Sequence, residues 1–163
     1  MSQEEVSYEE MKKELEKQLK GQQTGVLATT DGENVTVRAM LIFPDGLTIY
    51  CFTGKRSRKY QQLCVNQNVA VAVHDIQIEG VATLRGNPTD DENIRFLEVY
   101  KEVNPDDYER RIESMRSSQI ESSLIEITPK RVAKYIPGGG MDILNITKKK
   151  AYKLRIGDSA YYE

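Results

Sequence analysis

Residues 25–53 read GVLATTDGENVTVRAMLIFPDGLTIYCFT, and this stretch decides the fold. It contains three short runs rich in β-branched residues, separated by turns at residues 31–34 and 44–46. Each turn contains an Asp-Gly pair, which is favoured in hairpin connections because Gly readily adopts a positive φ. The stretch therefore predicts an antiparallel meander.

Further strand-like runs follow at residues 69–75, 76–86, 122–136 and 151–156. A helix is predicted over about residues 7–21, because Met11, Leu15 and Leu19 recur at helical spacing. Short helices are expected after Ser57, after residues 89–90 and from Pro105. Regular crossover helices do not separate the strands, so the pattern predicts a mainly β fold, an antiparallel barrel of six or more strands with flanking helices.

The charges are nearly balanced, with 23 basic and 25 acidic residues among 163. This balance argues against nucleic acid and membrane partners. The N-terminal 20 residues are charged throughout and lack the apolar stretch of a signal peptide, so a cytoplasmic protein is expected. Cys51 and Cys64 lack metal or redox spacing and are expected to be reduced thiols. The length predicts one domain over residues 1–163.

The segment TGKRSRK at residues 53–59 carries two hydroxyls, a glycine and four cations where a strand gives way to a helix. A helix N-terminus has unpaired N–H groups and a partial positive charge, and Arg and Lys add charge-assisted bonds to an anion. Ser57 is the expected N-cap. The segment is typical of phosphate binding, although composition alone also allows a solvated basic loop.

Arg38 stands within an otherwise apolar strand, VTVRAML at residues 35–41. Strand alternation predicts Thr36, Arg38, Met40 and Ile42 on one side, with the intervening residues on the other. Because burying an unpaired guanidinium is costly, Arg38 must reach water or meet an anion, which could be the same phosphate.

Taken in order, VRAML, IYCFT, SRK, VAVAV and IEGVATL resemble the pyridoxamine 5′-phosphate oxidase-like FMN-binding split barrels, over residues 25–86. The resemblance implies a split barrel that binds flavin mononucleotide (FMN). It also implies a homodimer with the flavin site at the interface, and a small-molecule substrate. Arg38 could then meet either the phosphate or a flavin carbonyl.

By this resemblance, nine residues bind the cofactor. The segment from Arg38 to Leu41 would line the isoalloxazine and the ribityl phosphate, and Ser57 and its two neighbours would hold the phosphate. The nine are Arg38, Ala39, Met40, Leu41, Phe52, Thr53, Ser57, Arg58 and Lys59.

The chain also departs from true pyridoxamine 5′-phosphate oxidases. It has no Trp and ends GDSAYYE, whereas those enzymes carry a C-terminal segment rich in Arg and Trp. Asp75 stands where they place a Gln that contacts the flavin across the dimer. The chain therefore resembles the short, general-stress-protein-like branch, and pyridoxamine phosphate oxidation is not expected.

The expected function is that of an FMN-dependent oxidoreductase, which uses NAD(P)H to reduce a small acceptor. Two alternatives stay open: a non-catalytic flavin-binding or redox-sensing module, and the same barrel binding deazaflavin or haem. No catalytic acid or base is identified, because a flavin performs the redox chemistry itself. His74 is the only histidine and is expected to be a strand-end residue, so no metal site is predicted.

Overall fold

The computed structural model describes residues 2–155, which form a ten-stranded antiparallel sheet with four α-helices. The strands are β1 (Ser2–Val6), β2 (Thr24–Thr30), β3 (Val35–Leu41), β4 (Phe43–Asp45), β5 (Thr48–Gly54), β6 (Asn68–Val73), β7 (Ile76–Leu84), β8 (Ser122–Ile136), β9 (Gly140–Asn145) and β10 (Lys150–Arg155). The helices are α1 (Tyr8–Leu19), α2 (Arg58–Val65), α3 (Ile94–Val103) and α4 (Tyr108–Ser117). The prediction of a mainly β, antiparallel fold is confirmed.

The sheet follows the order β1-β10-β9-β8-β7-β6-β2-β3 and branches at β8. The 15-residue β8 pairs with β7 along most of its length, while its first part also pairs with β5 and its last part with β9. This branching places β5 and its hairpin partner β4 outside the linear order. Strand β3, which carries Arg38, ends that order at the side opposite to β1.

The main core lies between the sheet and α1. Met11, Leu15 and Leu19 are buried there, as the helical spacing predicts, and Ser7 caps the helix by accepting a hydrogen bond from the backbone N–H of Glu10. The sheet supplies inward-facing aliphatic side chains, among them the fully buried Ile78. Burial of these apolar side chains supplies about 1.5–3 kcal/mol each and fixes which face of every strand points inward.

A second, aromatic core lies beneath α3 and α4. Phe96 is its centre, with Phe43, Phe52 and Tyr100 each within 6.2 Å between ring centroids. The edge and tilted ring arrangements are those that aromatic quadrupoles favour. This cluster fixes α3 against β4 and β5.

Several sequence-based boundaries were wrong. Strand β1, with the polar sequence SQEEV, and strand β9, with the sequence GMDILN, are not among the predicted strands. Pro44 lies within β4, so the second turn is Gly46 and Leu47, where Gly46 has φ +60°. Helix α4 begins at Tyr108 rather than Pro105. The polar tail at residues 157–163 lies outside the described part of the chain.

Candidate functional site

The junction between β5 and α2 has the geometry of an anion site. The hydroxyl of Ser57 accepts a hydrogen bond from the backbone N–H of Tyr60 at 3.2 Å, which confirms Ser57 as the N-cap. The same hydroxyl lies 2.9 Å from that of the buried Thr53 on β5. The first turn of α2 contains Arg58 and Lys59 but no acidic residue. The positive end of the helix and two cations therefore coincide.

Arg38 lies across from Leu27 in the β2–β3 ladder, and its guanidinium folds back over β2. Its Nη1 donates to the carbonyl oxygen of Leu27 at 3.1 Å and to Oγ1 of Thr29 at 2.7 Å, and its Nη2 donates to Oγ1 of Thr36. All three acceptors are neutral oxygens. They satisfy three of the five N–H donors of the guanidinium but do not balance its charge.

Electrostatics join Arg38 to the cations of α2. Burial, and then the charge of Arg38, lower the pKa of Lys59, while burial and the charge of Arg58 lower the pKa of Arg38. Within residues 2–155, none of the ion pairs involves Arg38, Arg58 or Lys59. Arg38 is thus repelled by both Arg58 and Lys59 without an ion-paired carboxylate to offset the repulsion, a cost that a bound anion would remove. We call these three residues the cation cluster.

A buried amide, which the sequence reasoning missed, connects the two parts of the site. Gln62 on α2 is 3% exposed, and its Oε1 accepts hydrogen bonds from the hydroxyls of Thr29 and Thr36 at 2.6 and 2.7 Å. Its Nε2 donates to the carbonyl oxygen of Asn34 at 3.2 Å. In the sequence, Gln62 is one of two adjacent glutamines on a short helix, and no local signal distinguishes them.

The other predicted residues divide between two faces. Met40 lies on the same side of β3 as Arg38 and packs against the main core, whereas Ala39 and Leu41 are exposed on the opposite side. Phe52 points away from Thr53 and stacks on Phe43, with ring centroids 6.2 Å apart.

A cavity of about 420 Å³ lies on the aromatic side of β5. Leu41 and Phe52 both line it, together with Tyr100 and Met115 from α3 and α4. Of the predicted residues, Leu41 and Phe52 thus lie beside this cavity, whereas the polar ones lie at the β5–α2 junction and on β3.

Neither Cys51 nor His74 forms a hydrogen bond or ion pair with the cation cluster within the described residues. Burial raises the pKa of the Cys51 thiol to about 12, so it is protonated and unreactive at neutral pH. His74 lies in the β6–β7 turn with its Nε2 3.1 Å from Oε1 of Gln22, in agreement with a strand-end role. Within the described residues, no group of three or more His, Cys, Asp or Glu side chains could hold a metal ion, and no helix could span a membrane.

The fold and the cation cluster define an antiparallel β protein with a candidate anion site where a strand meets a helix. The sequence model of the pyridoxamine 5′-phosphate oxidase family matches residues 11–135, which is most of the chain. The protein therefore belongs to the pyridoxamine 5′-phosphate oxidase family. A search among curated protein sequences finds no significant match.

Solved structures share the fold. General stress protein 26 from Bacillus anthracis is 22% identical with a TM-score of 0.59, over 83% of this chain and 98% of that one. A pyridoxamine 5′-phosphate oxidase-related, FMN-binding protein from Nostoc punctiforme is 13% identical with a TM-score of 0.56, over 91% and 94%. HutZ, the haem storage protein of Vibrio cholerae, is 16% identical with a TM-score of 0.55, over 76% and 91%. At these identities the likeness concerns the fold alone, and it confirms the split barrel.

Proposed function

We propose that this protein binds FMN and that the cation cluster holds the cofactor's phosphate. The observation that carries the proposal is the position of Arg38 beside two cations of the first turn of α2, Arg58 and Lys59, with none of the three forming an ion pair within residues 2–155. A phosphate dianion relieves this repulsion and accepts bonds from the N–H groups of the helix. Membership of the family and the FMN-binding relative from Nostoc punctiforme support FMN over other phosphates.

The remaining predicted residues fit the rest of the cofactor. Arg58, Lys59 and Ser57 bind the phosphate oxygens, and Arg38 reaches them from β3 with its two remaining N–H donors. The backbone from Ala39 to Leu41 runs along the ribityl chain and the ring. Phe52 and Leu41, which line one cavity, would give the isoalloxazine an apolar neighbour. Thr53 supports Ser57 through their hydroxyl contact.

We also propose that the protein is an oxidoreductase. A bound flavin can accept hydride from a reduced nicotinamide and pass electrons to a small acceptor. The chain's own task is then to hold the cofactor, orient it and limit its contact with water. The buried Cys51 beside Lys59 keeps its proton at neutral pH, so it takes no part in this redox chemistry.

The β2–β3 face supports the proposal of a homodimer with the flavin site at the interface. One side of β3 presents Val35, Val37 and Leu41, which are 72, 65 and 60% exposed, and Val26 on β2 adds to the same face. Contiguous exposed apolar surface commonly marks an association site. Because Arg38 lies on the other side of the same strand, a partner seated there would lie close to the cofactor.

Absorption spectroscopy of the purified protein titrated with FMN, deazaflavin and haem tests the cofactor. We expect the flavin bands to shift and the fluorescence of FMN to be quenched at a stoichiometry of one per chain. A Soret band with no response to FMN would refute the proposal and favour the haem alternative. Oxidation of NADH and NADPH with quinone or ferric acceptors then separates an enzyme from a binding module.

A double variant tests the phosphate site. Arg58→Ala with Lys59→Ala removes two charge-assisted bonds worth about 1.5–3 kcal/mol each, so we expect FMN affinity to fall by roughly two to four orders of magnitude. Lys148→Ala with Lys149→Ala, in the exposed β9–β10 turn, removes the same charge elsewhere and should leave affinity unchanged. Equal affinity in the first variant and the wild type would exclude this site.

A further inference from the structure

Gln62 occupies a central place in the site although it contributes no charge. Its amide bridges α2, which carries Arg58 and Lys59, and the β2–β3 hairpin, which carries Arg38. It is nearly fully buried, and every polar atom of its amide has a partner. A buried amide whose oxygen and nitrogen both have hydrogen-bond partners holds the elements around it in one arrangement.

The orientation of this amide follows from its partners. The carbonyl oxygen of Asn34 can only accept, so it requires the Nε2 group of Gln62 on its side. Oε1 then faces the hydroxyls of Thr29 and Thr36, and each hydroxyl must donate its single proton to Oε1. With their protons committed, both threonine oxygens present lone pairs in other directions.

Those lone pairs meet the guanidinium of Arg38. Nη1 donates to the Thr29 hydroxyl at 2.7 Å and Nη2 donates to that of Thr36. Gln62 thus makes both hydroxyls acceptors for Arg38. With Leu27 accepting a third bond, the guanidinium plane is fixed, and Nε and one Nη2 hydrogen remain for a ligand.

We propose that Gln62 is a positioning residue that orients Arg38 toward the cofactor's phosphate through the hydroxyls of Thr29 and Thr36. The proposal rests on the proposed function, since it requires FMN at the cation cluster. Gln62 does not touch the phosphate in this scheme. It sets the hydrogen-bond direction of two threonines and, through them, the plane of the Arg38 guanidinium.

Comparison of FMN with riboflavin, which lacks the phosphate, provides the test. In Gln62→Leu the threonine protons lose their acceptor, so we expect FMN affinity to fall about tenfold while riboflavin affinity stays within about twofold. A purely structural defect would weaken both ligands alike, and that result would overturn the proposal. Gln67→Leu is the matched control, because Gln67 is exposed just beyond α2.

Thr36 provides a second route if Gln62→Leu fails to fold. Thr36→Val keeps the shape and removes the hydroxyl, whereas Thr36→Ser keeps the hydroxyl. We expect the valine variant to weaken FMN binding about as much as Gln62→Leu and the serine variant to retain wild-type affinity. Equal FMN affinities in the wild type, Thr36→Val and Thr36→Ser would refute the proposed role of the Thr36 hydroxyl.

A double-mutant cycle with Arg38 isolates the coupling. In an Arg38→Met background, Gln62→Leu should cause no further loss of FMN affinity, because the residue it orients is gone. Additive losses would show that Gln62 acts independently of Arg38. That result would overturn the positioning role of Gln62 but not the proposed FMN site. Wild-type protein that ignores FMN, or a double Arg58 and Lys59 variant that binds normally, would overturn the proposed function as well.

Discussion

The ammonium group of Lys59 on α2 and the guanidinium of Arg38 on β3 lie close enough that the charge of Arg38 lowers the pKa of Lys59. The two residues come from different elements, and the fold holds them together against their repulsion. Neutral oxygens accept the bonds of Arg38, so no carboxylate offsets the repulsion. This arrangement costs stability in the free protein and favours an anion, and two predictions depend on it.

The first prediction concerns the pH dependence of FMN affinity. In its protonated form Lys59 attracts the phosphate. The pKa of Lys59 is lowered in the free protein, whereas a bound dianion raises it. Between these two pKa values, FMN binding takes up a proton. The affinity for FMN therefore falls as the pH rises through the pKa of the free protein. Dissociation constants measured by fluorescence from about pH 7 to about pH 10.5, the ordinary lysine pKa, should show this loss.

Lys59→Arg is the control for this titration. Arginine stays protonated throughout the range, so the affinity of this variant for FMN should not change with pH. A pH-independent affinity in the wild type would contradict the role of the Lys59 charge, because then no proton would be linked to binding.

The second prediction concerns the stability of the free protein. A lysine whose folded-state pKa lies below its unfolded value destabilises the fold while it is charged, and stability recovers as pH rises through the folded value. Lys59→Met should therefore raise the melting temperature of the apoprotein at neutral pH while weakening FMN binding. Calorimetry with and without FMN measures both effects. A lower apoprotein melting temperature would mean that Lys59 stabilises the fold through contacts other than charge.

Local signals explain which parts of the site the sequence predicts. The alternation in VTVRAML correctly separates the half-buried side of β3 from its exposed side, because side chains alternate along any strand. Ser57 is recognised as an N-cap for a similarly local reason, since its partner is Tyr60, three residues away. These features need no knowledge of the tertiary fold.

The rest depends on contacts between residues distant in the chain. Gln62 lies 33 residues from Thr29 and 26 from Thr36, so no window of sequence reveals that they meet. Strand β1 is polar and forms because it pairs with β10, more than 140 residues away. Tertiary pairing overrides weak local propensity in both cases.

The third prediction uses Gly80, which lies at the irregularity in the β7–β8 pairing. A Cβ at this position would lie 2.4 Å from the carbonyl oxygen of Thr128, a backbone atom that cannot move without disturbing β8. We expect Gly80→Ala to lower the free energy of unfolding by about 1–3 kcal/mol, as overpacking does. Urea denaturation of the apoprotein measures this change.

Gly54→Ala is the matched control for this variant. There a Cβ would meet its nearest neighbour, Cγ2 of Ile120, at an ordinary 3.6 Å, so the free energy of unfolding should change by less than about 1 kcal/mol. Equal destabilisation of the two variants would show that the loss of glycine flexibility, and not the contact with Thr128, accounts for the effect.

The fourth prediction tests whether the exposed side of β3 forms the proposed dimer. Val37 is 65% exposed and pairs with Ala28 in the β2–β3 ladder. In the proposed dimer, Val37→Glu would bury a carboxylate in the interface of each protomer. We therefore expect the variant to be monomeric in sedimentation experiments. Ile94→Glu, at a 59% exposed position on α3, should leave the oligomeric state unchanged.

The same Val37 variant separates two roles of the interface. If the partner completes the flavin site, the monomer should lose FMN affinity even though Arg38, Arg58 and Lys59 are intact. If the monomer binds FMN as well as the wild type, the cation cluster suffices for the cofactor and the dimer serves another purpose. A variant that stays dimeric would exclude this face as the interface, because a buried, unpaired carboxylate is too costly to keep.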